Sequence, residues 1–185
     1  AKFGRVGARA GGISSQRRMA HRGEFVAEHD GDDSVAETPP IRRMLAAGLP
    51  VGAGTDATRV ASYNPWVCLC WLVTGKTFSG MPMYGKGNVL EREEALRLYT
   101  AGSAWFSNDV GGKGRMAVGQ LADCVVQSAD YFDIPGDDRK YLSSPLTVAG
   151  GRRVSGDGDV RELAPPAPKA LPDGSRVKPF PGSVL

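Results

Sequence analysis

Cysteine and histidine are scarce in this chain: three cysteines and two histidines in 185 residues. Cys68, Cys70 and Cys124 are too few and odd in number for a disulfide framework, so a reducing compartment, the cytoplasm, is expected. Cys68 and Cys70 are separated by one residue, whereas zinc-binding pairs are spaced by roughly two to four. They also fall in a helical pattern, where i and i+2 point apart; structural thiols are expected. No apolar run approaches the roughly 18 residues of a membrane span. There is no G-x-S-x-G nucleophile elbow, and His21 and His29 both lie in a polar stretch, so Ser-His-Asp hydrolysis has little support. Net charge is small, +3. Lys2, Arg5, Arg9, Arg17, Arg18 and Arg22 precede every acid, and Glu24, Glu28, Asp30, Asp32, Asp33 and Glu37 follow. Alternating blocks of this kind read as solvated faces. A nucleic-acid surface would need clustered basic residues interleaved with aromatics.

What is present is a globular composition, 41% apolar and 23% charged, with abundant glycine (25) and proline (13). The length suits one domain with a real core, or parts of two. The first 22 residues have the arginine-rich, acid-poor composition of a transit peptide, but glycines interrupt any amphipathic helix there. Starting in mid-pattern at Ala1, the chain reads as cut from something longer.

Residues 1–8 read as a helix end, 8–15 as a small-residue strand, and 16–37 as a long polar loop with room for a short helix near Phe25. Thr38 and Pro39 then open a helix with an Ile41, Met44, Leu45 face, and Gly48 ends it. Val51 begins a short buried strand that ends on an acid, Asp56. Helix, tight turn and buried strand together form the αβ half of a parallel repeat. A polar loop with Arg59, Ser62, Tyr63 and Asn64 follows. Pro65 opens a helix with Trp66, Leu69, Cys70 and Val73 on one face, stopped by Gly75. Glu91 starts another helix, with a break expected at Gly102. Strands are expected over 121–127, 131–134 and 146–154. The proline-rich residues from 155 onward read as an extended or disordered tail. Three segments result: 1–110, 111–154 and 155–185.

Three glycine motifs invite a phosphate reading. Gly75-Lys76-Thr77 lacks the preceding P-loop glycine, since Cys70 stands there, and it follows a helix instead of a strand. Gly52-Ala53-Gly54-Thr55-Asp56-Ala57 fits a nucleotide-binding form, but no acid for a ribose occurs between Asp56 and Glu91. Gly111-Gly112-Lys113-Gly114 reads as a hairpin turn. Asp56 is the best chemical candidate, because an acid at the carboxyl end of a parallel barrel strand faces the pocket where such folds do chemistry. From spacing alone, a cap or a pairing with Arg59 explains it equally well.

Three stretches together resemble a known family. They are Val51 to Asp56, Ala57 to Trp66, and Glu93 to Ala104 followed by Gly112-Lys113-Gly114 and Gly119-Gln120-Leu121-Ala122-Asp123. In this order they resemble the amidohydrolase superfamily, in its branch like N-substituted formamide deformylase, the YtcJ-like amidohydrolases. The resemblance implies an α/β fold: residues 1–110 as the C-terminal part of a distorted (β/α)8 TIM-type barrel, and 111–154 as the C-terminal strands of a small β-sandwich. It implies hydrolysis of C–N bonds other than peptide bonds in a small amide, N-acyl or formamide substrate. One or two divalent metals, zinc by preference, would activate the water. Asp56 would be the catalytic carboxylate and a metal ligand, with Arg59, Ser62, Tyr63 and Asn64 at the substrate rim. The family's histidine ligands have no counterpart here, so the chain by itself is expected to bind no metal and be inactive. A non-catalytic fragment or association module is the alternative, and a nucleotide-binding domain a weaker one.

Overall fold

The computed structural model describes residues 11–16, 18–57 and 61–166. The helix end read over 1–8, and the tail beyond 166, lie outside them. The architecture is mixed α/β with two small sheets. Strand β1 is Ile13–Gln16, followed by helices α1 (Arg18–Asp30), α2 (Asp32–Ala36) and α3 (Ile41–Ala46). These cross over to strand β2 (Val51–Gly54), which pairs parallel with β1, Gln16 opposite Gly54. Helix α4 (Pro65–Thr74) comes next. Helix α5 (Arg92–Arg97) then runs through a π turn (Leu98–Gly102) into α6 (Ser103–Phe106). Strands β3 (Cys124–Val126), β4 (Leu146–Ala149) and β5 (Arg152–Gly156) form an antiparallel sheet, with 3-10 turns at Gly136–Tyr141 and Gly158–Leu163. No closed barrel exists among the described residues.

Helix α4 organises the core. Asn64 Oδ1 accepts from the Trp66 N–H at 2.9 Å, Pro65 occupies the first turn, and Gly75 ends the helix at φ 65. All residues from Trp66 to Leu72 are buried. The expected one-sided face is therefore corrected to a helix buried all round, because its sequence has no polar side to give to water. It packs with Ile41, Met44, Leu49, Val51, Ala53, Leu90, Ala95 and Leu98.

Several other expectations are corrected. The polar stretch 16–37 is mainly helical. Only Ala20 and Gly23 of α1 are buried, and the helix is held by side contacts in place of an apolar stripe. A Cβ on Gly23 would lie 1.8 Å from Met83 Sδ, and Glu24 accepts from Thr77 Oγ1 (2.6 Å) and from Ser79 Oγ. Those hydroxyls hold the Glu24 carboxyl below its usual range. The next helix begins at Ile41, not Pro39; Thr38 instead donates to Ser34 O at 2.5 Å. No break occurs at Gly102, where the helix continues through the π turn. A Cβ there would sit 2.4 Å from Val51 O, so glycine lets this helix lie against β2. The stretch 131–134 is a turn, with Tyr131 buried as an anchor. The stretch 146–154 is two strands, reversed at Gly150 and Gly151 (φ 57 and 73).

Candidate active site

The parallel pairing of β1 and β2 brings their carboxyl ends side by side. The chain leaves β2 through Thr55, and Asp56 adopts a left-handed conformation, φ 55, one that Asp tolerates better than most residues. Its carboxylate is 32% exposed. The Gln16 side-chain NH2 faces both of its oxygens, at 3.2 Å from Oδ1 and 3.0 Å from Oδ2; this amide orientation is the one that satisfies both groups. Arg18 Nε lies 3.7 Å from Oδ2, with its side chain 57% exposed, so the ion pair itself stabilises little.

The loop beyond Asp56 is shaped by its own polar groups. The Ala57 N–H donates to Thr55 Oγ1 at 3.3 Å, and Ala57 bridges to Ala61. The Asn64 N–H donates to Ser62 Oγ at 3.1 Å, and Asn64 caps α4. Ser62 and Asn64 thus set the path of the loop. Tyr63 projects into solvent, 77% exposed. Arg59 lies outside the described residues. His21 and His29 sit on the exposed part of α1. The His21 ring lies 4.8 Å from that of Phe78, and His29 stacks on Phe25 with Nδ1 2.8 Å from the Phe25 carbonyl.

The structure therefore gathers Asp56, Gln16 and Arg18. The last two were not singled out from sequence as partners of Asp56. Gln16 falls one residue past the expected strand end, and only the register opposite Gly54 reveals it. Gly52 and Gly54 lie within β2, and the next helix starts at Pro65. A dinucleotide loop needs its glycines in a turn that leads directly into a helix, so that alternative is set aside. Cys68 and Cys70 are buried, their sulfurs 3.4 and 3.5 Å from the carbonyl oxygens of Gly54 and Gly136. Among the described residues, no three of His, Cys, Asp or Glu stand close enough to share a metal ion. Among the described residues, the groups beside Asp56 are an amide and a guanidinium, donors that compete with a cation. These residues do not by themselves fit a metal centre.

The mixed α/β architecture has counterparts among solved structures. An uncharacterised metal-dependent hydrolase from Pyrococcus horikoshii OT3 superposes with a TM-score of 0.60 at 21% identity, over 73% of this chain and 28% of that one. A second, uncharacterised protein gives 0.54 at 17% identity, over 84% and 38%. These likenesses are of fold. A sequence model described as the amidohydrolase family matches residues 1–155; the chain belongs to that family. YtcJ of Bacillus subtilis (strain 168), whose name places it with the amidohydrolases, is 27% identical over 132 residues, 70% of this chain and 25% of its own. N-substituted formamide deformylase of Arthrobacter pascens is 28% identical over 112 residues, 60% of this chain and 20% of its own. The chain thus spans a quarter or less of these relatives' length.

Proposed function

We propose that these residues serve a metal-dependent hydrolase that cleaves non-peptide C–N bonds of amide, N-acyl or formamide type in small molecules, in the cytoplasm. The observation that supports this is Asp56: a part-exposed carboxylate at the carboxyl end of a parallel strand, in a chain of the amidohydrolase family. In this reading Asp56 accepts a proton from the attacking water and returns it to the departing nitrogen. The loop shaped by Ser62 and Asn64, with Arg59 and Tyr63, forms the substrate rim. Residues 1–110 belong to the final part of a (β/α)8 barrel, 111–154 to a small β-sandwich, and 155–185 to an extension. The metal, one or two ions and zinc by the family's preference, takes its remaining donors from further polypeptide. In this reading residues 1–185 alone are inactive.

The test is direct. Residues 1–185, supplied with zinc and an N-substituted formamide or N-acyl amine, should show no turnover and no stoichiometric zinc. Turnover with zinc bound one-to-one would overturn that division of labour. A longer polypeptide carrying this sequence should turn over such a substrate and lose roughly 100-fold or more on Asp56→Asn. An unchanged rate would remove Asp56 from the chemistry. A second reading, an association module, draws on the exposure of Met116 (79%) and Val118 (107%); a purely monomeric chain in sedimentation would count against it.

A further inference from the structure

Resting on the hydrolase reading above, we propose that Gln16 is the positioning residue of Asp56. Asp56 stands two residues beyond the end of a four-residue strand, in left-handed backbone. The ladder to β1 therefore does not reach it, and its carboxylate needs another support. Gln16 is suited to supply one. It is the last residue of β1 and is fixed by its register opposite Gly54. Its NH2 spans both carboxylate oxygens, at 3.2 and 3.0 Å, and so sets the plane of the carboxylate as well as its place. The amide is also neutral. It donates without offering a transferable proton of its own, and it leaves the negative charge uncompensated for chemistry.

Among the described residues the Arg18 guanidinium joins this amide at Asp56, 3.7 Å from Oδ2. In the reaction a water O–H bond breaks, the oxygen bonds to the substrate carbonyl carbon, and the proton goes to the Asp56 carboxylate that Gln16 holds. The same proton leaves the carboxylate for the nitrogen as the C–N bond breaks, and Asp56 returns to its ionised form.

Two measurements decide this. In the 185-residue chain labelled with ¹⁵N, the Gln16 side-chain NH2 pair should lie downfield of a free glutamine amide. It should return to the free value in Asp56→Gly, a substitution that suits φ 55. A Gln16 pair at the free value in the unsubstituted chain, or one unmoved in Asp56→Gly, overturns the proposal. In a longer, active polypeptide, Gln16→Leu and Gln16→Asn, the latter one methylene short, should each lower kcat at least about tenfold with KM unchanged. Full kcat in Gln16→Leu, where Asp56→Asn is inactive, overturns the positioning role and leaves the hydrolase reading standing. Full kcat in Asp56→Asn overturns both the hydrolase role of Asp56 and the proton route, while the amide signal still reports whether Gln16 holds the carboxylate.

Discussion

Helix α4 and the β3–β5 sheet place their apolar residues in opposite ways. Seven of the ten residues of α4 are buried, whereas none in β3, β4 or β5 is. Val125, Val126 and Val154 are exposed by 43, 53 and 49%. The half that carries Asp56 therefore holds most of the core, while the strands of the sheet contribute no buried residue to it. Tyr131, Leu142 and Arg139 are buried there. Arg139 donates to the carbonyls of Tyr131 (3.2 Å) and Ile134 (2.9 Å), and burial, together with nearby Arg92, pushes its pKa down. Trp66 Nε1 reaches Ser144 Oγ at 3.2 Å. Between these anchors a cavity of about 530 Å3 remains, lined by Trp66, Leu69, Tyr99 and Val148 among others. The strand-end carboxylate stands on the packed half, and disturbance should reach it more readily from α4 than from the sheet.

The strongest way to break the packed half is Trp71→Ala. Trp71 is 2% exposed and sits against Tyr84, ring centroids 5.6 Å apart. Emptying that volume should cost about 3–5 kcal/mol, read as a lowered midpoint in urea. Trp71→Phe should cost clearly less, because Nε1 is buried with no hydrogen-bond partner among the described residues. Equal losses for the two variants would mean that the ring's size does not carry the effect.

Gly102→Ala should come next, at about 1–3 kcal/mol. The new methyl would stand 2.4 Å from Val51 O, a backbone atom with little room to yield. Ser103 Oγ donates to Ala53 O at 2.8 Å one residue further on, so displacing the π turn also pulls on β2. Thermal unfolding measures the loss, and chemical-shift changes at Gly54 to Asp56 would show whether it reaches the site. A stability unchanged within error would refute the close approach.

Much of the packed half was legible because its signals are local. Asn64-Pro65 at the start and Gly75 at the end bound α4, and the small residues before Asp56 mark β2 as a buried strand ending on an acid. The partners of Asp56 were not legible in the same way. Gln16 meets it only through parallel pairing across an intervening crossover, and no spacing rule carries that register. Helix α1 was hidden because Gly23 against Met83 and Glu24 with its hydroxyl partners hold it, and such contacts leave no periodic apolar stripe. In the sheet half, Tyr131 to Ile134 alternates as a strand would, yet Tyr131 is buried from a turn. The hairpin at Gly150-Gly151 needed two left-handed glycines to be recognised as a reversal.

Tyr131 tests the seam between the halves. Its hydroxyl donates to Arg92 O at 3.0 Å, and Tyr131→Phe should cost about 1 kcal/mol near neutral pH. Burial raises the phenol from 10 to about 12. The unfolded chain therefore loses this proton first as the pH climbs past 10, and the folded chain holds it until about 12. Stability contributed by the protonated phenol is complete below pH 10 and declines from there, by on the order of 2 kcal/mol at pH 12. Tyr84, also buried and raised, adds to the same alkaline loss. In Tyr131→Phe the decline between pH 10 and 12 should become shallower without vanishing. An identical slope in the variant would place Tyr131 outside the unfolding unit and separate the two halves.

The smallest effect is expected where the sheet is most open. Val154 in β5 is 49% exposed, and among the described residues β5 pairs only with β4. Val154→Thr keeps the branched Cβ that suits a strand and exchanges a methyl for a hydroxyl that water can reach. Its stability should stay within about 0.5 kcal/mol of the parent. Asp56 stands in the other half, so the Gln16 amide signal should not move. A loss as large as that of Gly102→Ala would show that this side chain is covered in solution. The contrast between a packed half and an open sheet would then have to be redrawn around whatever covers it.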